Sequence, residues 1–484
     1  MKIRLWIALI GFLMMQPCLA ENLLAAYQQA LESDPTFKVA EAQWEAARQL
    51  APISRALLLP SLSGKASTSR SHTDQNLDNV STIFYQTTKQ YSLNLSQILF
   101  DYKAWGGLKN ANAQVKQGRA TYNAAAQNLM LRVATAYLGV LQAYDQWLAT
   151  QAQKRSLTQQ LEQTRAQYQV GLIAITGLEQ VKASYDATLA QEIANQNIIS
   201  NKLEELRAIT GAFYTRIAGI TADLPLVSPN PSRINDWTDI AAQQNYTLQA
   251  ANYGMVAARE NVKIQRAGHF PSITATGNYS YDNQTGSTVD GSELAPSSDR
   301  VASVGVDVNF PIYHGGLVTA QTRQAGAQYA AASAQMEQTY RSTLTQTREA
   351  YLGVISGISK LKADKQAIVS NQSSLDATKA GYTAGNNTIV DVLQQQYSLY
   401  AAQTNYATDQ YSYLLNILNL KLAAGTLSPS DLGQIDTWLT RRIDLSAYDF
   451  NQHEPTVVHS GIPQKTAPQK VTPHKKKRTK KSTS

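Results

Sequence analysis

The pentapeptide AYLGV stands at residues 136–140 and recurs at residues 350–354, 214 positions later. Its surroundings repeat as well, with an offset that stays between 211 and 214. The equivalent segments are 46–62 with 257–273, Phe100-Asp101 with Tyr313-His314, Tyr168-Gln169-Val170-Gly171 with Tyr382-Thr383-Ala384-Gly385, and Gly211 with Gly425. The chain therefore contains a duplicated unit of roughly 190 residues, much longer than the repeats of ordinary solenoids.

The first twenty residues have the pattern of a secretory signal peptide. Lys2 and Arg4 form a positive start, residues 5–15 are apolar, and Cys18-Leu19-Ala20 offers a cleavage site with small residues. Cys18 is the only cysteine, so the mature chain is expected to contain no disulfide. After the signal no apolar run is long enough to predict a membrane-spanning helix.

Positive charge is concentrated at the C-terminal end of the chain. The formal net charge is +8, but residues 455–484 hold eight Lys and Arg side chains and no acid. Without this tail and the signal, the body is slightly acidic, so the folded part is not expected to bind nucleic acid. The run KKKRTKK (475–481) is typical of a solvated disordered tail. A weak contact between this tail and an anionic cell-envelope polymer is the alternative.

Side chains that carry enzyme chemistry are scattered along the sequence. The histidines show no metal-ligand spacing, and they stand at 72, 269, 314, 453, 459 and 474. Gly64-Lys65 lacks the upstream glycine of a phosphate-binding loop. No constellation of nucleophile and base stands out, so the sequence predicts a protein that is not an enzyme and has no cofactor or metal.

Segments of strict alternation in each repeat predict β-strands. In residues 272–282, apolar or small residues such as Ile273 and Tyr279 alternate with polar residues such as Thr274 and Asn278. The predicted strands lie at about 60–70, 90–100, 271–282 and 301–310. Their length and alternation are typical of membrane-barrel strands, with apolar residues toward lipid, although one strand alone would also suit a half-buried sandwich.

Long helices are predicted at about 102–168, 177–211, 314–383 and 388–425. One apolar stripe of the first helix steps by four and three residues through Leu129, Val133, Ala136, Val140, Ala143 and Trp147. A second stripe, which includes Leu131 and Leu138, runs beside it. Two stripes indicate helical neighbours on two sides, and at 1.5 Å per residue such a helix reaches roughly 100 Å. Helices of this length with two apolar sides predict self-association.

The predicted strands lead to the same expectation independently. Backbone polar groups in lipid must all be paired, so a sheet in a membrane cannot keep open edges. Four strands per chain are fewer than the roughly eight of the smallest membrane barrels. Several protomers must therefore share one barrel, and three are preferred to two because only a wider barrel leaves an open channel.

This layout resembles the TolC family of outer-membrane channel-tunnel proteins over about residues 21–435. The resemblance rests on the duplicated halves, on the strand-to-helix junction PIYHGG (311–316), and on the turns YQVGLIAIT (168–176) and GYTAGNNTIVDVL (381–393). It implies an α+β membrane protein, a homotrimer in which a twelve-stranded outer-membrane β-barrel continues into a long α-helical coiled-coil tunnel in the periplasm. The junction residues concerned are Pro311, Tyr313, Gly315 and Gly316.

The resemblance also implies a function, a location and partners. The protein would be the outer-membrane exit duct for tripartite drug efflux and type I protein secretion in a Gram-negative bacterium. It would be a passive conduit that opens at its periplasmic tip when a periplasmic adaptor protein and an inner-membrane RND, ABC or MFS transporter dock. Adaptor docking is expected at the hairpin-tip turns, which contain Gly171, Thr176, Gly385 and Thr388.

A periplasmic gate is expected at the same tips. Asp391 is the only charged residue between Lys379 and Asp409. It can cap a helix with Thr388, and the resemblance also places it in an acidic ring that would attract cations and in which three carboxylates would raise one another's pKa. The best-known family members have a second acid where this chain has Gln394, and an acid and an arginine where it has Gly177 and Asn387.

Because the ionic links of the family are missing here, closure is predicted to depend on coiled-coil packing and on uncharged hydrogen bonds. The side chains expected to make these bonds are Tyr382, which matches the family pattern, and Asn387.

The predicted organisation has six parts. They are a signal peptide (1–20), a first repeat (21–211), an inter-repeat equatorial linker (212–236), a second repeat (237–425), a second equatorial segment (426–452) and a disordered basic tail (453–484). The alternative of a different class is a secreted coiled-coil structural protein or adhesin stalk. Such a protein would be released from membranes by salt or urea, whereas a barrel would need detergent.

Overall fold

A computed structural model of the chain describes residues 22–77, 80–221, 224–288 and 292–448. The predicted signal peptide and the predicted basic tail lie outside the described residues. Among the described helices, none combines the length and the apolar composition needed to cross a membrane.

Two very long helical hairpins dominate the structure. In the first repeat α4 runs from Tyr102 to Gln169 and α5 from Ile175 to Thr210. In the second repeat α8 runs from Leu317 to Thr383 and α9 from Ile389 to Ala424. Shorter helices complete the fold: α1 Leu23–Ser33, α2 Pro35–Arg48, α3 Leu50–Ala56, α6 Ile234–Gln244, α7 Tyr246–Arg266 and α10 Pro429–Asp436.

Helix α8 begins at Leu317, three residues after the predicted start at 314. Gly315 and Gly316 have φ angles of +60° and +82°, which are outside the right-handed helical region. The other long helices differ from the predicted ranges by one or two residues at their ends. Helices α5 and α9 each end at a glycine in the left-handed conformation, Gly211 at φ +70° and Gly425 at φ +75°.

The long strands in the described residues are β1 Ser61–Leu77, β2 Val80–Phe100, β4 Ser272–Thr288 and β5 Glu293–Asn309. They form one antiparallel sheet in the order β1-β2-β4-β5. Cross-strand pairs such as Gly64 with Leu93, Leu93 with Tyr279, and Tyr279 with Ala302 place one mostly apolar set on the same face of the sheet.

All four strands extend well past the predicted outer ends. Residues 67–76 of β1 are polar on both faces, so the alternation that predicts a strand stops near residue 70. The backbone pairing continues regardless, with Ser71 opposite Gln86 and Asn76 opposite Ser81. Hydrophobic alternation marks only the part of a strand that has one apolar side, whereas backbone hydrogen bonds need no such pattern.

A second, two-stranded sheet lies in the equatorial segments. It pairs β3, Arg216–Ile220, with β6, Leu439–Asp444, in an antiparallel manner. These two strands were not predicted from the sequence. The main core lies beside this sheet, and among its largest fully buried side chains are Tyr137, Leu138, Leu141, Tyr411 and Tyr413.

The repeated pentapeptide anchors these equatorial segments to the long helices. Tyr137 is fully buried, and its hydroxyl donates to the carbonyl of Ala218 at 2.9 Å and accepts from the amide of Ala218 at 2.8 Å. The equivalent Tyr351 donates to the carbonyl of Ser232. Both tyrosines thus bind the segment that follows the first repeat, one from α4 and the other from α8.

Candidate functional site

The first hairpin tip joins α4 to α5 through a short turn. Gly171 has φ +77°, and its amide donates to the carbonyl of Tyr168 at 2.9 Å. The amide of Leu172 donates to the carbonyl of Gln167, also at 2.9 Å. Helix α5 then begins after Ala174, which provides no side-chain cap. Thr176 is exposed in the first turn of this helix.

The second hairpin tip has the same backbone but a different start of its returning helix. Gly385 has φ +80°, and Thr388 is the N-cap of α9. The carboxylate of Asp391 accepts from the Thr388 amide and from the Thr388 hydroxyl, each at 2.8 Å, so the two residues form a capping box. These two donors lower the pKa of Asp391, which is otherwise exposed.

Each predicted gate residue can be compared with its counterpart 214 positions away. Gly177 in α5 is equivalent to Asp391 in α9, so only the second tip carries a carboxylate at this level. A Cβ atom at Gly177 would lie 3.6 Å from Cγ2 of Ile389, which shows that Gly177 faces the start of the second returning helix. Gln394 is exposed one turn beyond Asp391.

Tyr382 and Asn387 make different kinds of contact. The Tyr382 hydroxyl donates to Oε1 of Gln167 at 3.2 Å, so this bond joins the second hairpin to the first. Asn387 donates to the carbonyl of Thr378 at 3.5 Å and packs against Gly381, so it contacts its own hairpin. Among the described residues, Tyr382 therefore connects the two hairpins of one chain through a side-chain hydrogen bond.

The other contacts between the tips were not predicted from the sequence. A small apolar cluster lies just behind them, formed by buried Val181, Leu375, Ile389, Val392 and Leu399. Farther from the tips, the hydroxyl of Tyr400 donates to the carbonyl of Ala152 at 3.2 Å, and Gln396 donates to Ser156. The apolar spacing of α9 indicates that this helix has a buried side. The residue of α5 that it contacts could not be predicted, because spacing within one helix does not show what another helix brings to the contact.

The strand-to-helix junction differs between the two repeats. In the first repeat Asp101 caps α4 directly, because its carboxylate accepts from the amide of Lys103 at 2.7 Å. In the second repeat Pro311 and Tyr313 lie in an irregular segment that ends in Gly315 and Gly316 before α8 begins. Tyr313 is 84% exposed, so this junction presents an aromatic side chain on the surface of the chain.

The geometry of the tips supports passage and closure rather than chemistry. No group of three or more His, Cys, Asp or Glu side chains that could hold a metal ion occurs in the described part of the chain. The tips offer the exposed carboxylates of Glu179 and Asp391, an uncharged link between hairpins, and exposed turns. These features can attract cations and control the separation of the hairpins.

Comparisons with known proteins identify the family. The model of the outer membrane efflux protein family matches residues 26–212 and 237–426, one match for each repeat. Outer membrane protein TolC of Salmonella enteritidis is 35% identical over 429 residues, which cover 88% of this chain and 86% of that protein. Alkaline protease secretion protein AprF of Pseudomonas aeruginosa is 30% identical over 427 residues, with 87% and 88% coverage.

A solved structure gives the same fold. The CmeC outer membrane channel of Campylobacter jejuni superimposes with a TM-score of 0.72 at 18% identity, over 87% of this chain and 90% of that one. The matches confirm the predicted resemblance, and they place the protein among outer-membrane channels rather than enzymes or secreted stalks. The two matched repeats, which meet at the tips described above, establish that this chain belongs to the outer membrane efflux protein family.

Proposed function

We propose that three copies of this chain form one outer-membrane exit duct for efflux and protein secretion. The main support for this proposal comes from the two edge strands of the sheet. Within the described residues, β1 and β5 each pair with one neighbour only, so each leaves one row of backbone donors and acceptors for another chain. Because all neighbours are antiparallel, β5 of one copy can pair with β1 of the next in the same antiparallel manner.

The position of aromatic side chains supports placing this sheet in the membrane. Exposed aromatic residues gather where the strands meet the long helices, as expected at a membrane–water boundary. They are Phe100, Tyr102, Trp105, Phe270, Phe310 and Tyr313. The sheet would therefore lie in the outer membrane, and the long hairpins would extend from it into the periplasm.

The partners follow from this placement. A duct that ends about 100 Å from the membrane, at 1.5 Å for each residue of α4, can reach a protein complex of the inner membrane. The proposed partners are a periplasmic adaptor and an inner-membrane transporter of the RND, ABC or MFS type. Names of relatives such as the secretion protein AprF support export of proteins in addition to small molecules.

Asp391 provides the test of the duct and of its gate. Three copies would place three Asp391 carboxylates around one axis, and the Thr388 donors, which lower the pKa of Asp391, keep it charged at neutral pH. Purified protein in planar bilayers should therefore conduct, and divalent cations on the side of the tips should block the current. The block should weaken in acid, as the Asp391 carboxylates of the ring become protonated.

Asp391→Asn should remove most of this block and leave the channels intact. Asp376→Asn, which removes an exposed carboxylate elsewhere on the second hairpin, is the matched control and should keep the block. Unchanged block in the Asp391→Asn channels would exclude Asp391 from the gate. Protein that forms no channels at all would contradict the proposed duct.

The first hairpin tip is the proposed contact for the adaptor. Val170 and Leu172 are 70% and 73% exposed there, whereas the second tip has Ala384 and Asn386 at the equivalent positions. Exposed apolar side chains on a rigid turn are typical of an interaction surface. Leu172→Asp should reduce binding of the adaptor at least tenfold in pull-down or calorimetric titrations, and Asn386→Asp is the matched control. Equal loss in both variants would contradict an apolar contact at the first tip.

A further inference from the structure

The two repeats place different chemistry at one equivalent contact between their long helices. In the first hairpin, Nδ2 of Asn195 on α5 donates to Oγ1 of Thr150 on α4 at 2.8 Å, in a buried position. Both of these groups are neutral. The residues 214 positions later are Asp409 on α9 and Asp364 on α8. The second hairpin therefore has two carboxyl groups where the first has an amide and a hydroxyl.

The two carboxyl groups contact each other. The side chain of Asp364 lies close enough to Asp409 for a hydrogen bond between the two carboxyl groups to raise the pKa of Asp364. Oδ2 of each residue is buried and accepts no N–H or O–H donor from the described residues. Ionised carboxylates only accept hydrogen bonds, so a bond between two carboxyl groups requires a proton on one of them. The two carboxyl groups can therefore share one proton.

The surrounding charges do not balance two carboxylates. Nζ of Lys360, one turn before Asp364 on α8, donates to Oδ1 of Asp409 at 2.8 Å and supplies a single positive charge. Burial, the hydrogen bond to Asp409 and the charge of Asp409 raise the pKa of Asp364, against the opposing effect of Lys360. An uncompensated buried charge is costly, so one of the two carboxyl groups is best kept neutral.

Other charged groups near this level also have partners. On α4, Asp145 accepts from the Tyr411 hydroxyl and from the Arg441 guanidinium. On α8, Lys365 has an interaction of its own. The first hairpin contributes Gln146, which is equivalent to Lys360 and donates to Thr408 at 3.4 Å, so it adds no charge to the pair.

We propose that Asp364 and Asp409 form a proton-binding site that fastens α8 to α9 in the second hairpin. The protonated carboxyl of Asp364 donates to the carboxylate of Asp409, and this carboxylate also accepts from Lys360. The proton is taken from solvent and returned to it. When it leaves, two carboxylates share one ammonium group, and the contact between the helices weakens. The site goes beyond the exit-duct function and does not depend on it.

The sign of the pH dependence follows from linkage. A group with a raised pKa in the folded state contributes stability that is fully present below its ordinary pKa and is lost as the pH rises through the raised value. The second hairpin should therefore be held more firmly in acid than at neutral or alkaline pH. The first hairpin, with Thr150 and Asn195, has no such dependence at this contact.

Asp364→Asn tests the proposal, because the carboxamide N–H replaces the acidic O–H as a permanent donor to Asp409. Infrared titration of the purified full chain in detergent should show a protonated carboxyl band that disappears as the pH rises, and this band should be missing in Asp364→Asn. The melting temperature of the wild-type protein should fall by a few degrees over the same pH range. In Asp364→Asn this fall should largely disappear.

Asp376→Asn is the matched control, because Asp376 is an exposed carboxylate on the same helix that accepts from Gln372 at 3.0 Å. It should keep the wild-type band and the wild-type pH dependence. A wild-type protein without the band, or an equal loss of pH dependence in the control, would overturn the proposal.

A double variant covers the case in which Asp364→Asn does not fold. Asp364→Thr with Asp409→Asn copies the pair of the first hairpin and should melt without the pH-dependent fall. Persistence of the wild-type fall in this variant would also overturn the proposal. Bilayer conductance measured in parallel separates this outcome from a failure of the duct, which would remove channels from the wild-type protein as well.

Discussion

Single glycines set the ends and turns of the long helices, and they differ in what surrounds them. Gly425 and Gly385 both have positive φ, 75° and 80°. A Cβ atom at Gly425 would lie 2.3 Å from the carbonyl oxygen of Gln244, whereas a Cβ atom at Gly385 would meet nothing within 4 Å. The carbonyl of Gly425 also accepts from Gln127 at 2.9 Å, so this glycine holds the end of α9 against α4 and against the junction between α6 and α7.

The pair Gly425→Ala and Gly385→Ala tests this difference. Gly385→Ala should cost about 1 kcal/mol, the conformational penalty of an L-residue in the left-handed region. Gly425→Ala should lower the melting temperature by clearly more, since the main chain of Gln244 must also move. Equal melting temperatures for the two variants would contradict the close approach at Gly425.

At the scale of helices and strands, the contact between the hairpin tips depends on a neutral hydrogen bond. Tyr382 reaches Gln167 of the other hairpin, while its repeat equivalent Tyr168 is exposed. Tyr382→Phe should remove about 1 kcal/mol of this contact and raise the open probability of single channels. Tyr168→Phe is the matched control and should behave like the wild-type protein. If the Tyr382→Phe channel had the same open probability as the wild-type channel, closure would depend on packing alone.

The helices and strands also show which parts of the fold can be predicted from sequence patterns. The long helices and the positions of both tips could be predicted, because heptad-like stripes and a proline-free run of 68 residues such as α4 are strong local signals. The outer halves of the strands could not, because residues such as Ser71 and Asn76 carry no alternation where both faces are polar. Strand β3 has only five residues and finds its partner β6 more than two hundred positions later, so no local pattern marks it.

The candidate site was partly predictable for the same reason. The capping of α9 by Thr388 and Asp391 is a local motif, and the structure contains it. The bond from Tyr382 to Gln167 and the Asp364–Asp409 pair join residues far apart in the sequence or in different helices. Such contacts depend on the register between helices, which the spacing within one helix does not determine.

At the scale of the whole molecule, one chain is an incomplete structure. In the described part of the chain, the membrane sheet has four strands with two unpaired edges, and the long helices expose apolar side chains such as Leu352 and Val369. Identical copies related by rotation satisfy both needs at once, because each copy then offers the same two edges to its neighbours. Closure by three copies gives a barrel wide enough to leave a channel.

The mass of the intact assembly in mild detergent tests this account most directly. Native mass spectrometry or light scattering of the mature protein should give three chains per particle, and the same particles should conduct in bilayers. The mature chain is expected to be somewhat lighter than the 53.0 kDa of the full sequence. Particles that contain a single chain, whether or not they conduct, would contradict the shared barrel.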